Sequence, residues 1–304
     1  MLRRGTMRGF WTTSIYVIPM LIETVMRNAG RLFIQCVDRA RQKFHGITRW
    51  KQNNSLLIEN PLAEASEYYR LWNKARECSY PTVDHYERDC EAAIETAWFN
   101  QLALLTQVVI KRSELCYQHG RLLYATLVQY ARKHVREHLN IVETGTARGF
   151  SALCLAKAMH DAGATGKIST FDVLPHDVKI LWNCVRDADG PRTRANLLQD
   201  YSALINRYVV FYQGDTKQEL AKMTFPRVNL AFFDSVHSHE HVMTEFSSIN
   251  GLQETGDIIF FDDYTPELYP GVVKAADEIC STYGYGKNIV IASSQRRYLI
   301  AEKQ

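Results

Sequence analysis

The chain has 304 residues, 46% of them hydrophobic and 23% charged, with a net charge of +3. This is the composition of an ordinary globular protein, with room for one large domain or two modest ones. So mild a positive excess, without a basic stripe interleaved with aromatic residues, excludes a nucleic-acid footprint.

The N-terminus is unusual. Gly9 to Ile22 is an apolar run preceded by Arg3, Arg4 and Arg8 and stopped by Glu23. It has the charged start and apolar middle of a signal peptide, but no small-x-small cleavage site follows. It is also too short to span a bilayer, which takes about 20 residues. Arg31 to Phe44 then mixes apolar and basic residues, as a half-buried or interfacial helix does. Packing or partner contact is the expected role, with peripheral membrane contact and a targeting segment as alternatives; a transmembrane span is rejected.

Residues 1–137 read as a mostly helical region that packs on the following domain and dimerises or covers a site. The polar stretch Lys51–Ser55 and the turn-like Ser79-Tyr80-Pro81 interrupt it. Trp98–Lys111 and Glu114–Val135 carry apolar residues three and four apart, as in Leu122, Leu123, Leu127, Val128 and Ala131. The seven cysteines (Cys36, Cys78, Cys90, Cys116, Cys154, Cys184 and Cys280) are odd in number, scattered and never spaced C-x-x-C. They read as reduced thiols of a cytoplasmic protein, not as a disulfide framework or zinc site.

From residue 138 the period changes. Short apolar runs occur at Asn140–Thr144, Lys167–Val173, Tyr208–Gln213, Val228–Phe233, Asp257–Phe261, Asn288–Ala292 and Tyr298–Ala301. The first five are spaced for intervening helices; the last two sit close enough for a hairpin. Residues 138–304 are therefore expected to form an α/β, doubly wound, mostly parallel seven-stranded sheet, with the helical region as an N-terminal extension. Its ligand should lie beyond the C-terminal ends of the strands.

Those ends carry the chemistry. The run Ile141–Ser151 (IVETGTARGFS) ends a strand on Glu143, turns on Gly145 and Gly149 and opens a helix. Such a turn leaves backbone N–H groups free at the helix start for a charged small molecule. The second strand ends near Asp172, an acid placed to accept from ribose hydroxyls, and the third at Gly214 and Asp215, where an adenine would lie. Helix capping is the alternative use of either acid. Strands four and five end on Asp234 and on Asp262-Asp263. Adjacent strands lie about 4.8 Å apart, so the three carboxylates can converge. Gathered without a cation they would repel; a hard divalent ion, magnesium or alternatively calcium or manganese, resolves the conflict.

The spacing of the first three strand ends resembles class I S-adenosylmethionine-dependent methyltransferases of Rossmann-like fold. D-x-x-H-x-x-E from Asp234, G-D-I-I-x-x-D-D-Y from Gly256 and Pro270–Lys274 (PGVVK) resemble more narrowly the macrocin O-methyltransferase-like group and its cephalosporin-hydroxylase-like relatives, over roughly residues 95–303. The resemblance implies S-adenosylmethionine held by Glu143, Gly145, Thr146, Gly149, Ser151, Asp172 and Asp215. It further implies a metal at Asp234, Asp262 and Asp263, with His237 as general base. Ser235 departs from the group, which has glycine there; its side chain is expected to narrow the pocket or shift the turn.

The function so implied is metal-assisted O-methylation of a hydroxylated small molecule, with a sugar favoured. Two rivals stand beside it: a non-catalytic cofactor-binding or assembly protein on the same fold, and a metal-dependent hydrolase using His237, His239 and His241. The histidine register fails the H-x-H-x-D-H pattern, because His241 holds the aspartate place. Acceptor-pocket residues are expected from the N-terminal half and from Pro175–Tyr201; Trp182, Tyr201 and Tyr264 are stacking surfaces or core. Homo-oligomerisation is open.

Overall fold

The computed structural model describes residues 58–111 and 113–304. The apolar and basic N-terminal segments, and the partner, membrane and targeting roles expected of them, lie outside the described residues. The described residues fall in one compact unit.

Four helices come first: α1 (Ala65–Arg76), α2 (Pro81–Asp89), α3 (Thr96–Thr106) and α4 (His119–Lys133). Proline at its first turn starts α2, and the Glu95 carboxylate caps α3 by accepting from the N–H groups of Ala97 and Trp98. The apolar set Leu122, Leu123, Leu127, Val128 and Ala131 is buried along α4. Both helices are shorter than their apolar periodicity predicts. At Ile110 the backbone N–H and C=O instead bond the side-chain amide of Asn183, each at 3.0 Å, so this stretch runs outside a helix.

The sheet contains all seven expected strands: β1 (His138–Thr144), β2 (Thr165–Asp172), β3 (Val209–Gln213), β4 (Leu230–Phe233), β5 (Ile258–Phe261), β6 (Tyr285–Ser293) and β7 (Arg296–Lys303). Their order is β3-β2-β1-β4-β5-β7-β6. The first five are parallel, and the β6–β7 hairpin closes the sheet with β7 antiparallel to β5. Chain order reverses between β1 and β4, the switch point at which such sheets bind ligands.

Helix α5 (Phe150–Asp161) packs against α4, while α9 (His239–Ile249) packs against α10 (Pro270–Tyr283). Shorter helices α6 (Arg194–Leu197), α7 (Ser202–Tyr208) and α8 (Thr216–Leu220) flank β3. A large cluster joins Val142, Phe171, Phe233, Ile259 and Phe261 of the sheet to Phe246 and Ile279 of α9 and α10. The register pairs Phe232 with Phe260 and Phe233 with Phe261 across neighbouring strands. Their rings meet edge to face at 5.5 and 5.6 Å. Each buried ring is worth about 1.5–3 kcal/mol. Four in adjacent register fix the ends of β4 and β5 immediately before their acids.

Candidate functional site

The glycine turn follows β1. Gly145, Ala147 and Gly149 all have left-handed backbone, with φ of 95°, 44° and 89°. Gly145 is obligatory on a second count: a Cβ there would lie 2.0 Å from the carbonyl oxygen of Asp234. No side chain caps α5, which leaves the N–H groups of its first turn to a ligand.

The polar side chains of the turn point inward. Glu143 is fully buried and accepts hydrogen bonds from the hydroxyls of Ser151 and Thr170, and the Thr146 and Thr170 hydroxyls lie 2.5 Å apart. Burial pushes the Glu143 carboxyl up to about 7, against the pull of the two hydroxyl hydrogen bonds. Asp172 accepts from the N–H of Ala147 at 2.5 Å and of Leu174 at 2.7 Å, so it braces the turn at the end of β2. Burial raises its pKa, and Arg194 acts against that rise. Asp215 is exposed and caps α8 by accepting from the Lys217 N–H, the capping role set against adenine binding above. Of the seven residues expected at the cofactor, six thus surround or build the turn, and the hydroxyls of Thr146 and Ser151 serve it from behind.

Across Gly145 lie the ends of β4 and β5. The N–H of Asp234 donates to Thr144, and that of Asp262 to Phe233, which continues the ladder one residue past the strands. The structure brings Asp234, His237 and Asp263 together, with one ligand atom from each within 4.8 Å of the others. Nε2 of His237 stands 3.6 Å from Asp234 and 3.3 Å from Asp263. Asp262, expected as the third carboxylate, is buried alongside and accepts the Asp263 N–H at 2.8 Å. Asp263 has a φ of 56°, strained for a side chain with a Cβ, and that conformation turns its carboxylate to His237 and Arg296.

The electrostatics match the geometry. Burial, then the charge of Asp262, raises the pKa of Asp234; burial and Asp262 do the same to Asp263, against the pull of Arg296. For His237, burial acts downward, but the neighbouring carboxylates overcome it and hold the imidazole above its ordinary value. Gly271, at the start of α10, makes room for this arrangement: a Cβ there would meet the His237 carbonyl at 2.6 Å.

The three histidines do not converge. His237 faces the acidic cluster, His239 pairs with Glu278 at 2.7 Å, and His241 is buried beside Thr216 and Glu245 at 2.9 and 3.1 Å. The hydrolase reading, which required a shared metal, has no such centre among the described residues. Ser235 also departs from expectation: its hydroxyl donates to Glu245 at 2.6 Å and turns away from the pocket. Trp182, Tyr201 and Tyr264 are buried in the core. The six described cysteines are free.

Three residues around the site were not legible in the sequence. Arg296, at the start of β7, pairs with Asp263. His119, the first residue of α4, lies against Phe232, and burial pushes it down to about 4, so it stays neutral near Asp262. Glu245 is fully buried and gathers Thr144 of β1, Thr216 of α8, Ser235 after β4 and His241 of its own helix. Only the i, i+4 spacing of His241 and Glu245 signalled any of them.

The family model described as a methyltransferase domain matches residues 142–264, from the end of β1 to just past the Asp262-Asp263 pair. No curated relative matches the chain. Among solved structures, the O-methyltransferase NovP is 12% identical, with a TM-score of 0.49, covering 64% of this chain and 83% of its own. TomG, an O-methyltransferase of Streptomyces achromogenes, is 14% identical, with a TM-score of 0.46 and coverage of 70% and 92%. A Bacillus cereus O-methyltransferase is 14% identical, with a TM-score of 0.46 and coverage of 79% and 98%. The family match, the mostly parallel seven-stranded sheet and the glycine turn agree with one another: residues 142–264 are similar to a methyltransferase domain.

Proposed function

We propose that the protein methylates a hydroxyl oxygen of a small-molecule acceptor, with Asp234, His237 and Asp263 as the acceptor-side machinery. The observation that carries this reading is their convergence within 4.8 Å at the strand ends facing the glycine turn. S-adenosylmethionine supplies an already activated methyl group. The protein's tasks are therefore to place the acceptor oxygen in line and to remove its proton. The turn and the uncapped start of α5 offer N–H donors to the cofactor, and Asp172 retains lone pairs for ribose hydroxyls. His237 is the general base, oriented by Asp234 and Asp263.

The donor set fits a divalent ion. Carboxylates and an imidazole whose charges oppose one another are the ligands such an ion takes. Asp234 and Asp263, with Asp262 and His237 beside them, would hold it, and it would lower the pKa of the acceptor hydroxyl. Vicinal hydroxyls, on a sugar, a glycosylated natural product or a catechol-like ring, suit such a site. The Arg296–Asp263 pair favours a second reading, in which a fixed guanidinium balances the acids and the His237–Asp263 pair acts without metal.

Calorimetry with S-adenosylmethionine and S-adenosylhomocysteine, with and without magnesium, tests the reading first. Micromolar binding that is lost on changing Gly145 or Asp172 supports the cofactor assignment. Failure to bind in either condition removes it. Manganese binding that disappears in Asp234→Asn supports the metal-assisted form; methyl transfer indifferent to chelators favours the metal-free one. Among the described residues no helix is long and apolar enough to cross a membrane. A cytoplasmic setting and the N-terminal segment's membrane or partner contact are parts of the proposal that cell fractionation would test.

A further inference from the structure

Between β2 and β3 the chain leaves the sheet at Val173 and returns over the glycine turn. Two buried arginines fix it there. Nε of Arg148 donates to the Trp182 carbonyl, and Nε of Arg194 donates to the Ala147 carbonyl at 2.9 Å. Leu198 completes the contact, since a Cβ at Gly149 would lie 2.8 Å from its Cδ1.

Arg194 is only 1% exposed, yet part of its guanidinium is unused. Nε holds Ala147 and Nη1 meets Nδ1 of His176, while Nη2 is buried without a partner. His176 orients the guanidinium. Its Nδ1 faces a group that can only donate, so Nε2 carries the proton and turns to the Tyr212 backbone. The ring of Phe211 braces both, with the guanidinium carbon 5.6 Å away and the imidazole at 5.1 Å. A buried donor left unsatisfied costs about 1–3 kcal/mol. Nη2 of Arg194, held in place by aromatic packing, is a donor awaiting an acceptor from outside the fold.

Its place identifies the acceptor. Phe211 lies on β3 opposite Thr170, two residues before Asp172 ends β2, and the Arg194 charge acts on the Asp172 carboxylate, so the guanidinium stands beside the proposed ribose-binding acid. Arg194 is also bonded to the glycine turn through Ala147. A ribose hydroxyl is both donor and acceptor: Asp172 can serve only as its acceptor, and Arg194 only as its donor. We propose that Arg194 is a cofactor-reading residue that donates from Nη2 to a ribose oxygen opposite Asp172, with His176 as the positioning residue that orients it. This inference rests on the cofactor reading above and deepens it.

The test uses the full chain and binding alone. Affinities for S-adenosylhomocysteine and for its 2′-deoxy and 3′-deoxy analogues would be measured on wild type, Arg194→Met and His176→Phe. Arg194→Met should weaken S-adenosylhomocysteine at least tenfold and remove most of the discrimination against one deoxy analogue. His176→Phe should weaken it severalfold with its melting temperature unchanged, and it decides the matter if Arg194→Met fails to fold. Unaltered affinity and discrimination in the folded variants would overturn the proposal while leaving the cofactor reading intact. Tighter binding in Arg194→Met would also overturn it, because Arg194 would then be occupying the ribose place. Absence of binding by wild type would remove the cofactor reading itself, and this inference with it.

Discussion

The two halves of the site use acids in opposite ways. At the ends of β1 and β2, Glu143 and Asp172 are surrounded by hydroxyl and backbone N–H donors and serve to shape a turn. At the ends of β4 and β5, Asp234, Asp262 and Asp263 face one another, and His237, Arg296 and Lys111 oppose their charge. The first arrangement stabilises a backbone shape that leaves N–H groups free at the start of α5. The second is held together by the paired phenylalanines beneath it, and its repulsion is available to whatever cation or proton enters. Acid at a strand end is thus satisfied by local donors in one half and left facing other acids in the other.

Gly145 joins the halves, so changing it breaks the comparison most severely. A methyl group in Gly145→Ala must displace the Asp234 carbonyl from 2.0 Å and also suffers the left-handed φ of 95°. A loss of about 2–4 kcal/mol in denaturant unfolding is expected, with cofactor binding below detection. Wild-type affinity in this variant would show that the turn does not bind the cofactor.

Asp234→Asn separates the halves instead. Turnover should fall at least a hundredfold, about 3 kcal/mol of transition-state stabilisation, while S-adenosylhomocysteine affinity stays within threefold. The same change relieves repulsion from Asp262, so the metal-free protein should melt at a higher temperature. Unchanged turnover would remove Asp234 from the chemistry.

Glu143→Gln probes the architectural half through pH. The folded-state pKa of Glu143, about 7, lies above its ordinary value, so the fold favours the protonated acid. Its contribution is full below about pH 4.5 and is lost as pH rises through about 7. The amide, which carries no charge, should therefore stabilise the protein by about 1–3 kcal/mol at pH 8 and by little at pH 4.5. Thermal melts across that range check the sign; a stabilisation that grows towards low pH would contradict it.

The same contrast explains what the sequence made legible. Every strand was visible, because alternating helical and apolar periods survive in any packing. Asp234 and Asp263 were visible because they follow directly from strand ends. Arg296 was not, since its approach depends on the antiparallel return of β7 and on the left-handed backbone of Asp263. Nor was His119, which arrives from a helix about 140 residues before Asp262 and meets it only through α4 packing. The inward turn of the Thr146 and Ser151 hydroxyls was likewise hidden: spacing places them in the turn, and only the buried Glu143 decides which way they point.

Ser235→Gly is the mildest test and the one that most sharpens the boundary between the halves. Ser235 follows Asp234, proposed for the acceptor side, yet its hydroxyl belongs to Glu245, which also gathers Thr144 from β1 and Thr216 from α8. Glycine removes one of four donors around a fully buried carboxylate and frees the backbone after Asp234. Stability should drop by about 0.5–1.5 kcal/mol. If Ser235 only buttresses the turn, acceptor KM should change less than threefold and cofactor affinity not at all. A large change in KM with stability intact would instead place this side chain in the acceptor pocket, and the line between shaping acids and reacting acids would have to be drawn one residue further along the chain.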